Sequence, residues 1–553
     1  MYLFENPVLQ RELLVNLRTI RAFVLLFSYN AILGLVVWMA WPQEQQLDLS
    51  NNPEKAQTLV QLFFLGQYVL ATMMTPSFAA GTITGEKERK TYESLLASPL
   101  RPQAIVLGKL VASLAPLALL IFSSLPIVML CLPLGGVSIY EVLAQYIGLI
   151  MAIFMFGMIS VACSSFFQRT ASALVVSYLM ILAVNLLLFV IGGFSLTVLA
   201  SSIGGADGNE SRIRLMLFFV LFPLVSLALS SILFAITSRR LLRPPDVGSE
   251  GNEVVDIDQE SRQAMGLIIQ RDRFPDKLFA PAKRTTLLAD GANPVFDKEM
   301  RSEIFAQGTL MLRLVIQLSM LLAIPLMACF LYVWTQYAAY YISYTLLFNM
   351  LVGPVFTAGS VTSERERETL DLLLTTIISP WEILWGKLVA GLRVSSVLTG
   401  FLLWPLLLAF VMGSFELSNI LSVLSYVVIV ALTCLTTASV ALACSVMFKR
   451  TATSLMTTYS IIVLAFAVPL AMTKFVDVFL PNSPVTPVVH ALSVISPIAA
   501  AFNVPMAFDM PGKEDIVGSW PLVLSYMGTA ILINGCLLGA MIWLFNMRWR
   551  VAQ

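Results

Sequence analysis

The sequence predicts an all-α polytopic membrane protein of about twelve transmembrane helices, built as two parallel six-helix repeats. Three observations support this fold class. The chain is 553 residues long, 58% hydrophobic and 12% charged, with a mean hydropathy of +0.84. Its apolar runs are long enough to cross the roughly 30 Å of bilayer hydrocarbon. A charged segment between two of these runs occurs a second time in the other half of the chain.

Each transmembrane helix is predicted from an apolar run of about 20 residues or more, bounded by polar or charged residues. Proline and asparagine interrupt several of these runs without ending them, which neighbouring helices in a membrane can tolerate. The predicted spans are 21–41, 57–80, 104–134, 140–167, 172–200, 213–237, 312–334, 338–359, 382–412, 419–447, 453–475 and 521–546.

The distribution of basic residues predicts the orientation of the spans. Lys and Arg precede the first span and follow each even-numbered span, whereas the opposite loops hold few of them. Because basic loops stay on the cytoplasmic side, we expect both termini to be cytoplasmic. The expected location is the lipid bilayer of a bacterial inner membrane.

Three pairs of segments show that the two halves are repeats. "GTITGEKERKTYESLLASPLRPQAIVLGKL" (81–110, the first motif) matches "GSVTSERERETLDLLLTTIISPWEILWGKL" (359–388, the second motif). "NPVLQREL" matches "NPVFDKEM", and "ACSSFFQRTASALVVSY" matches "ACSVMFKRTATSLMTTY". Six spans in each half give both halves the same orientation, so their pseudo-twofold axis should follow the membrane normal.

The predicted domains follow from the repeat and from a change in composition. The first six-helix half covers residues 1–238 and the second covers residues 291–553. Residues 239–290 are rich in charge, with an acidic run within them, and are expected to form a cytoplasmic linker. In the second half, the apolar and proline-rich segment 477–520 is expected to form re-entrant or interfacial helices at the outer face.

Each motif places charged residues at helical spacing. If the first motif is one helix, Glu86, Arg89 and Glu93 share a face on which the arginine can bridge both carboxylates. Tyr92, Leu95 and Leu96 fill the adjoining sector and make that helix amphipathic. The second motif repeats the pattern with Glu364, Arg367 and Asp371, and Glu88 is repeated as Glu366. This pattern has three possible interpretations: a solvated loop, a catalytic carboxylate pair or a docking element. A docking element that is needed twice explains the repetition best.

Several classes of function are disfavoured by what the sequence contains. The chain has a single histidine, His490, whereas an intramembrane metalloenzyme needs several imidazole ligands. The six cysteines lack the CxxC spacing of a structural zinc site. We therefore expect no catalytic residue and no metal site. Charges are nearly balanced and no basic face is apparent, so nucleic acid is not expected as a partner.

Taken together, the charged motif after the second span, the proline and Gly-Lys that open the third, and the "NPV" segment before the first resemble ABC transporter permeases of the type-2 exporter superfamily. The resemblance covers nearly the whole chain, once per half. It implies that the "NPV" segment is an interfacial elbow helix. It also implies that each motif contains a coupling helix that docks on an ATP-binding subunit, with these coupling residues: Glu86, Glu88, Arg89, Glu93, Glu364, Glu366, Arg367 and Asp371.

The resemblance also implies a partner, an ABC ATP-binding subunit, in two copies. The chain has no G-x-x-x-x-G-K-[ST] loop, so no cofactor is expected here, and ATP and magnesium are assigned to the partner. We expect secondary cytoplasmic contacts at Lys109, Lys387, Arg169 and Arg450. For the two arginines, capping of the next helix together with anchoring at the membrane surface is the alternative to a partner contact.

The expected activity is that of a permease subunit in an ATP-driven exporter. Few charges lie deep in the spans, which favours an amphiphilic substrate. The alternative is a secondary, ion-coupled transporter built from parallel repeats. Such a carrier normally has a coupling carboxylate near mid-membrane, whereas Glu141, Glu416 and Asp477 lie at the ends of spans.

Overall fold

The structure is a computed structural model. It describes residues 53–88, 90–129, 137–167, 170–192, 209–241, 293–301, 338–366, 368–412, 420–479, 484–505 and 518–549, with isolated positions in 9–38 and 317–324. All regular structure in this part of the chain is helical. Nearly all of the predicted linker, and most of the predicted first and seventh spans, lie outside the described residues.

The first half contains seven described helices. They are α1 (Pro53–Ala79), α2 (Gly81–Glu88), α3 (Tyr92–Leu96), α4 (Pro102–Met129), α5 (Ile139–Phe166), α6 (Thr170–Gly192) and α7 (Asn209–Leu241). Their boundaries have local causes. At the start of α5, the Ser138 side chain accepts from the Glu141 backbone N–H and the Glu141 carboxylate accepts from the Ser138 backbone N–H, which is a capping box.

The second half has the same order, with one more described helix at its start and additional helices near its end. They are α8 (Pro294–Arg301), α9 (Ala338–Ala358), α10 (Thr362–Glu366), α11 (Leu370–Leu374), α12 (Pro380–Met412), α13 (Ile420–Met447), α14 (Thr451–Ile462), α15 (Val468–Phe479), α16 (Thr486–Leu492), α17 (Pro497–Phe502) and α18 (Trp520–Trp549). A π-helical turn, Val463–Ala467, joins α14 to α15.

Nine helices in the described ranges are long and apolar enough to cross a membrane. They correspond to nine of the predicted spans, and the predicted fifth span coincides with a shorter apolar helix, Ser172–Asn185. The all-α polytopic membrane fold is therefore confirmed. Within the predicted outer segment, α16 and α17 are short helices, and Ala499, Ala500 and Ala501 of α17 are buried.

The two halves meet through equivalent helices. Helix α1 packs against α14 and α15 of the other half, and its counterpart α9 packs against α6. On the boundary, the buried rings of Tyr178 and Tyr459 make an edge-to-face contact with centroids 5.6 Å apart. These two tyrosines end the matched "ACS" segments, so one residue meets its own repeat there. At a twofold axis, a residue contacts the equivalent residue of the other half, so this tyrosine pair is what the predicted pseudo-twofold symmetry requires.

The cores of the two halves have diverged. In the second half, the Asn349 amide donates to the hydroxyls of Ser395 and Thr399 and to Cys434 Sγ, and it accepts from Thr437 Oγ1. This buried polar cluster joins α9, α12 and α13. The matched positions of the first half carry apolar residues: Ala71, Leu117, Ile121, Ile153 and Phe156.

Candidate functional site

Each motif is two short helices instead of the single helix predicted over Glu86–Glu93. In the first motif, α2 ends at Glu88, and Lys90 takes a left-handed conformation with φ of 57°. The Thr91 N–H then donates to Glu86 O at 2.9 Å and the Lys90 N–H to Lys87 O at 3.2 Å, which is a Schellman ending.

The second motif has the same break. Glu368 has φ of 58°, and the Thr369 N–H donates to Glu364 O at 2.9 Å. The predicted shared face for Glu86, Arg89 and Glu93 is therefore wrong, because the chain turns between the first carboxylate and the last. Arg89 and Arg367 themselves lie outside the described residues.

The first carboxylate of the first motif, that of Glu86, is partly exposed and is bound to side chains of the protein itself. Glu86 Oε1 lies 3.0 Å from Lys109 Nζ, and its Oε2 accepts from the Thr91 hydroxyl. Lys109 also donates to Thr82 O at 2.9 Å, and only 4% of this lysine is exposed. A buried ammonium group needs such partners, because removing one would leave an uncompensated charge.

In the second motif, Glu364 occupies the same position and is tied to helix α8. Lys387, 2% exposed, pairs with Glu299 of α8 and donates to Ser360 O at 2.8 Å. Glu364 accepts from Lys298 of α8 at 2.8 Å. Since Lys109 and Lys387 are both buried, we assign them to these internal ties and not to the partner contact expected from the sequence.

We expect the acid stability of the second motif to depend on Glu364. Partial burial opposes its ionisation, but hydrogen bonds from Lys298 and Thr369 and the charge of Lys387 outweigh burial and lower the pKa of this carboxyl. Stabilisation from a lowered pKa is fully present above the ordinary carboxyl pKa and is lost as pH falls through the folded value. Glu364→Gln should therefore lower the thermal unfolding midpoint at neutral pH, and the difference from the unmodified chain should shrink below about pH 4.

The matched control for Glu364→Gln is Glu93→Gln, at an exposed position of the first motif. Its unfolding midpoint should follow that of the unmodified chain across the same pH range. Equal loss in both variants would contradict the assignment of Glu364 to an internal tie.

The second carboxylate of each motif caps the helix that begins within the matched "ACS" segment, α6 in the first half and α14 in the second. Glu88 Oε1 accepts from the backbone N–H of Thr170 at 2.8 Å and from its hydroxyl at 2.9 Å. Glu366 does the same for Thr451, at 2.9 and 2.7 Å. A carboxylate at this place satisfies free backbone N–H groups and interacts favourably with the helix dipole.

Of the two arginines predicted as secondary contacts, the structure describes Arg450. Arg450 is exposed at the N-cap of α14 and makes no side-chain cap bond, so the cap comes from Glu366 of the motif. Arg169 lies outside the described residues. Neither glutamate is near its helix start in the sequence, so capping by a neighbouring residue, as predicted, does not include them.

A second tie joins each motif to the C-terminal end of the helix before the capped one, α5 in the first half and α13 in the second. The Ser164 hydroxyl accepts from the backbone N–H groups of Ile83 and Thr84 at 3.1 and 2.9 Å, and Ser445 repeats this for Val361 and Thr362. In addition, the Lys87 ammonium donates to the last carbonyls of α5, and the Arg365 guanidinium donates to those of α13. The matched serine in "ACSS" and "ACSV" was the available signal for this contact.

Only part of each motif is left at the surface. Glu93 and Asp371 are exposed, as are Lys90 and Glu368 at the turns. The exposed carboxylates of Glu88 and Glu366 are engaged by the helix caps. Among the described residues, no group of three or more His, Cys, Asp or Glu side chains is placed to hold a metal ion.

The motifs therefore form a pair of charged surfaces, each fastened to the same two transmembrane helices of its own half. A family model described as ABC-2 family transporter protein matches residues 11–184 and 261–546. The chain belongs to this family. The two matched regions of this ABC-2 transporter correspond to the two halves, so it is a membrane transport component made of two fused permease units. Membership implies association with an ABC ATP-binding subunit. None of the curated proteins compared with the chain matches it.

Proposed function

We propose that this chain is the permease subunit of an ATP-driven exporter and that each motif docks on one separate ATP-binding subunit. The observation that carries the proposal is the capping of α6 and α14 by Glu88 and Glu366. Through these caps, a displacement of either motif acts directly on a membrane helix at the boundary between the halves.

The path from motif to boundary is short. Tyr178 follows Thr170 by eight residues, about 12 Å along a helix, and Tyr459 stands in the same relation to Thr451. The Tyr178 hydroxyl donates to Met73 O of α1 at 2.6 Å, and the Tyr459 hydroxyl donates to Leu351 O of α9. Motion of α6 and α14 therefore reaches the ring contact and the helices that pack across the boundary.

The transported substrate of this proposal is an amphiphile. The long spans are apolar, and the buried charged side chains described above, Lys109 and Lys387, are paired near the motifs. A boundary of apolar and aromatic side chains suits a lipid-like molecule better than a free ion. In this proposal the motifs and both termini lie in the cytoplasm, and the membrane is a bacterial inner membrane.

The test is co-expression of the tagged chain with each stand-alone ATP-binding-cassette subunit of its source organism, followed by purification from membranes. One such subunit should co-purify, and Glu93→Arg combined with Asp371→Arg should reduce its recovery by at least about tenfold. Asp477→Arg is the control, since Asp477 is exposed on α15 at the opposite end of the bundle. If no such subunit is recovered in any combination, the proposal is wrong.

A further inference from the structure

The exposed faces of the two motifs differ, although their internal ties are the same. We define the first docking surface by Lys90, Glu93, Ser94, Pro99 and Arg101, all of which are exposed. Aligning the motifs gives the second docking surface: Glu368, Asp371, Leu372, Ile377 and Ser379, again all exposed. One position is acidic in both surfaces, and the other four have changed character.

Charge is the first difference. The first surface carries Lys90 and Arg101 beside Glu93, so its charges are mixed. In the second surface the lysine is replaced by Glu368 and the arginine by Ser379. The exposed Glu382, where the first motif has the buried Ala104, adds another negative charge at its edge. Arg89 and Arg367 are the same residue in both motifs and do not alter this contrast.

Apolar exposure is the second difference. Leu372 is 69% exposed and Ile377 is fully exposed, where the first motif has Ser94 and Pro99. Leu370 and the half-buried Leu373 and Leu374 pack into the protein, so Leu372 is the leucine of α11 that points outward, beside the exposed Asp371. Two large apolar side chains on a charged surface indicate a contact that removes them from water.

We propose that the second docking surface binds the ATP-binding subunit more tightly than the first, through a partner face in which basic side chains surround an apolar cleft. This inference rests on the proposed function and identifies the chemistry of the partner. The same partner face cannot complement the mixed charges of the first surface equally well. Two identical ATP-binding subunits therefore bind in order, the first to arrive occupying the second half.

The experiment measures stepwise binding of the ATP-binding subunit to the purified full-length chain, by native mass spectrometry and by titration in lipid nanodiscs. Two binding steps of unequal affinity are expected. Leu372→Ser combined with Ile377→Ala should weaken the tighter step by at least about tenfold. The matched first-half variant, Ser94→Ala with Pro99→Ala, should change that step by less than about twofold.

A second pair of variants tests charge and does not alter the apolar residues. Glu368→Lys should weaken the tighter step, and raising the salt concentration should reduce this loss, because salt screens exposed charges. Lys90→Glu should strengthen the weaker step. All six altered positions in these variants are exposed, and a size-exclusion profile like that of the unmodified chain confirms the fold of each variant.

The outcomes separate this inference from the proposed function. If Leu372→Ser with Ile377→Ala and Ser94→Ala with Pro99→Ala weaken binding equally, unequal docking is overturned and the permease function is left intact. Absence of any binding to the unmodified chain would overturn the proposed function itself. If Leu372→Ser with Ile377→Ala leaves both steps unchanged but lowers binding of the chain's motif end to lipid vesicles, the surface contacts lipid and the inference is wrong.

Discussion

Replacing Glu88 and Glu366 together by alanine is expected to uncouple the transporter while leaving the ATP-binding subunit bound. Each substitution removes the cap of a helix at the boundary between the halves and costs about 0.5 to 2 kcal/mol of local stability. Affinity for the ATP-binding subunit should stay within about twofold, a difference of about 0.4 kcal/mol.

The readout for this double variant is the distance between spin labels at Met180 and Ile461. These equivalent residues of α6 and α14 are 37% and 38% exposed, so labels fit there without repacking the core. In an otherwise cysteine-free chain, ATP should change the label distance, and the double variant should lose that change.

Thr170→Val with Thr451→Val is the matched control for the caps. It removes the hydroxyl donors and keeps the backbone N–H groups that Glu88 and Glu366 also accept. The distance change should therefore be only partly reduced. If the glutamate variant instead loses the ATP-binding subunit, its carboxylates are partner contacts, as the sequence alone predicts.

Replacing Tyr178 and Tyr459 by alanine should produce the largest loss of stability. Truncating a buried aromatic ring costs about 3 to 5 kcal/mol, and both rings are fully buried. Phenylalanine at both positions keeps the ring contact and removes the bonds to Met73 O and Leu351 O, at about 1 kcal/mol each. Denaturant unfolding in detergent micelles gives these values.

A double-mutant cycle between the two tyrosines tests their contact directly. Edge-to-face pairs are worth about 0.5 to 1.5 kcal/mol beyond burial, so the two alanine substitutions should be non-additive by this amount. Tyr341 is the control, since it is equally buried and its hydroxyl bonds Leu402 O within the second half. Additive losses for Tyr178 and Tyr459 would show that the halves do not meet there.

The spans could be predicted from the sequence because the bilayer itself sets their length and composition. A run of apolar residues long enough to cross hydrocarbon has few alternatives, and the repeated segments then give the relation between the halves. The nine long apolar helices in the described ranges agree with this prediction. From the repeat one can predict that the two halves pack symmetrically. The repeat does not predict which residues are in contact across the boundary.

The internal contacts of the motifs could not be predicted, since they join residues that are distant in sequence. Glu88 and Thr170 are 82 positions apart, and nothing local to either residue indicates the other. The break between α2 and α3 was also hidden. Left-handed residues at helix ends are usually glycine, whereas Lys90 and Glu368 occupy these positions here. A helical spacing of charges therefore predicted one continuous helix where there are two.

The polar cluster around Asn349 shows what a tandem gene permits. In a dimer of identical subunits, every substitution appears in both copies at once, and both cores must accommodate it. The tandem chain has Asn349, Ser395 and Thr399 in one half and Ala71, Leu117 and Ile121 at the matched positions of the other. Each half can therefore change independently of the other. Because both halves belong to one chain, they are always made in a one-to-one ratio.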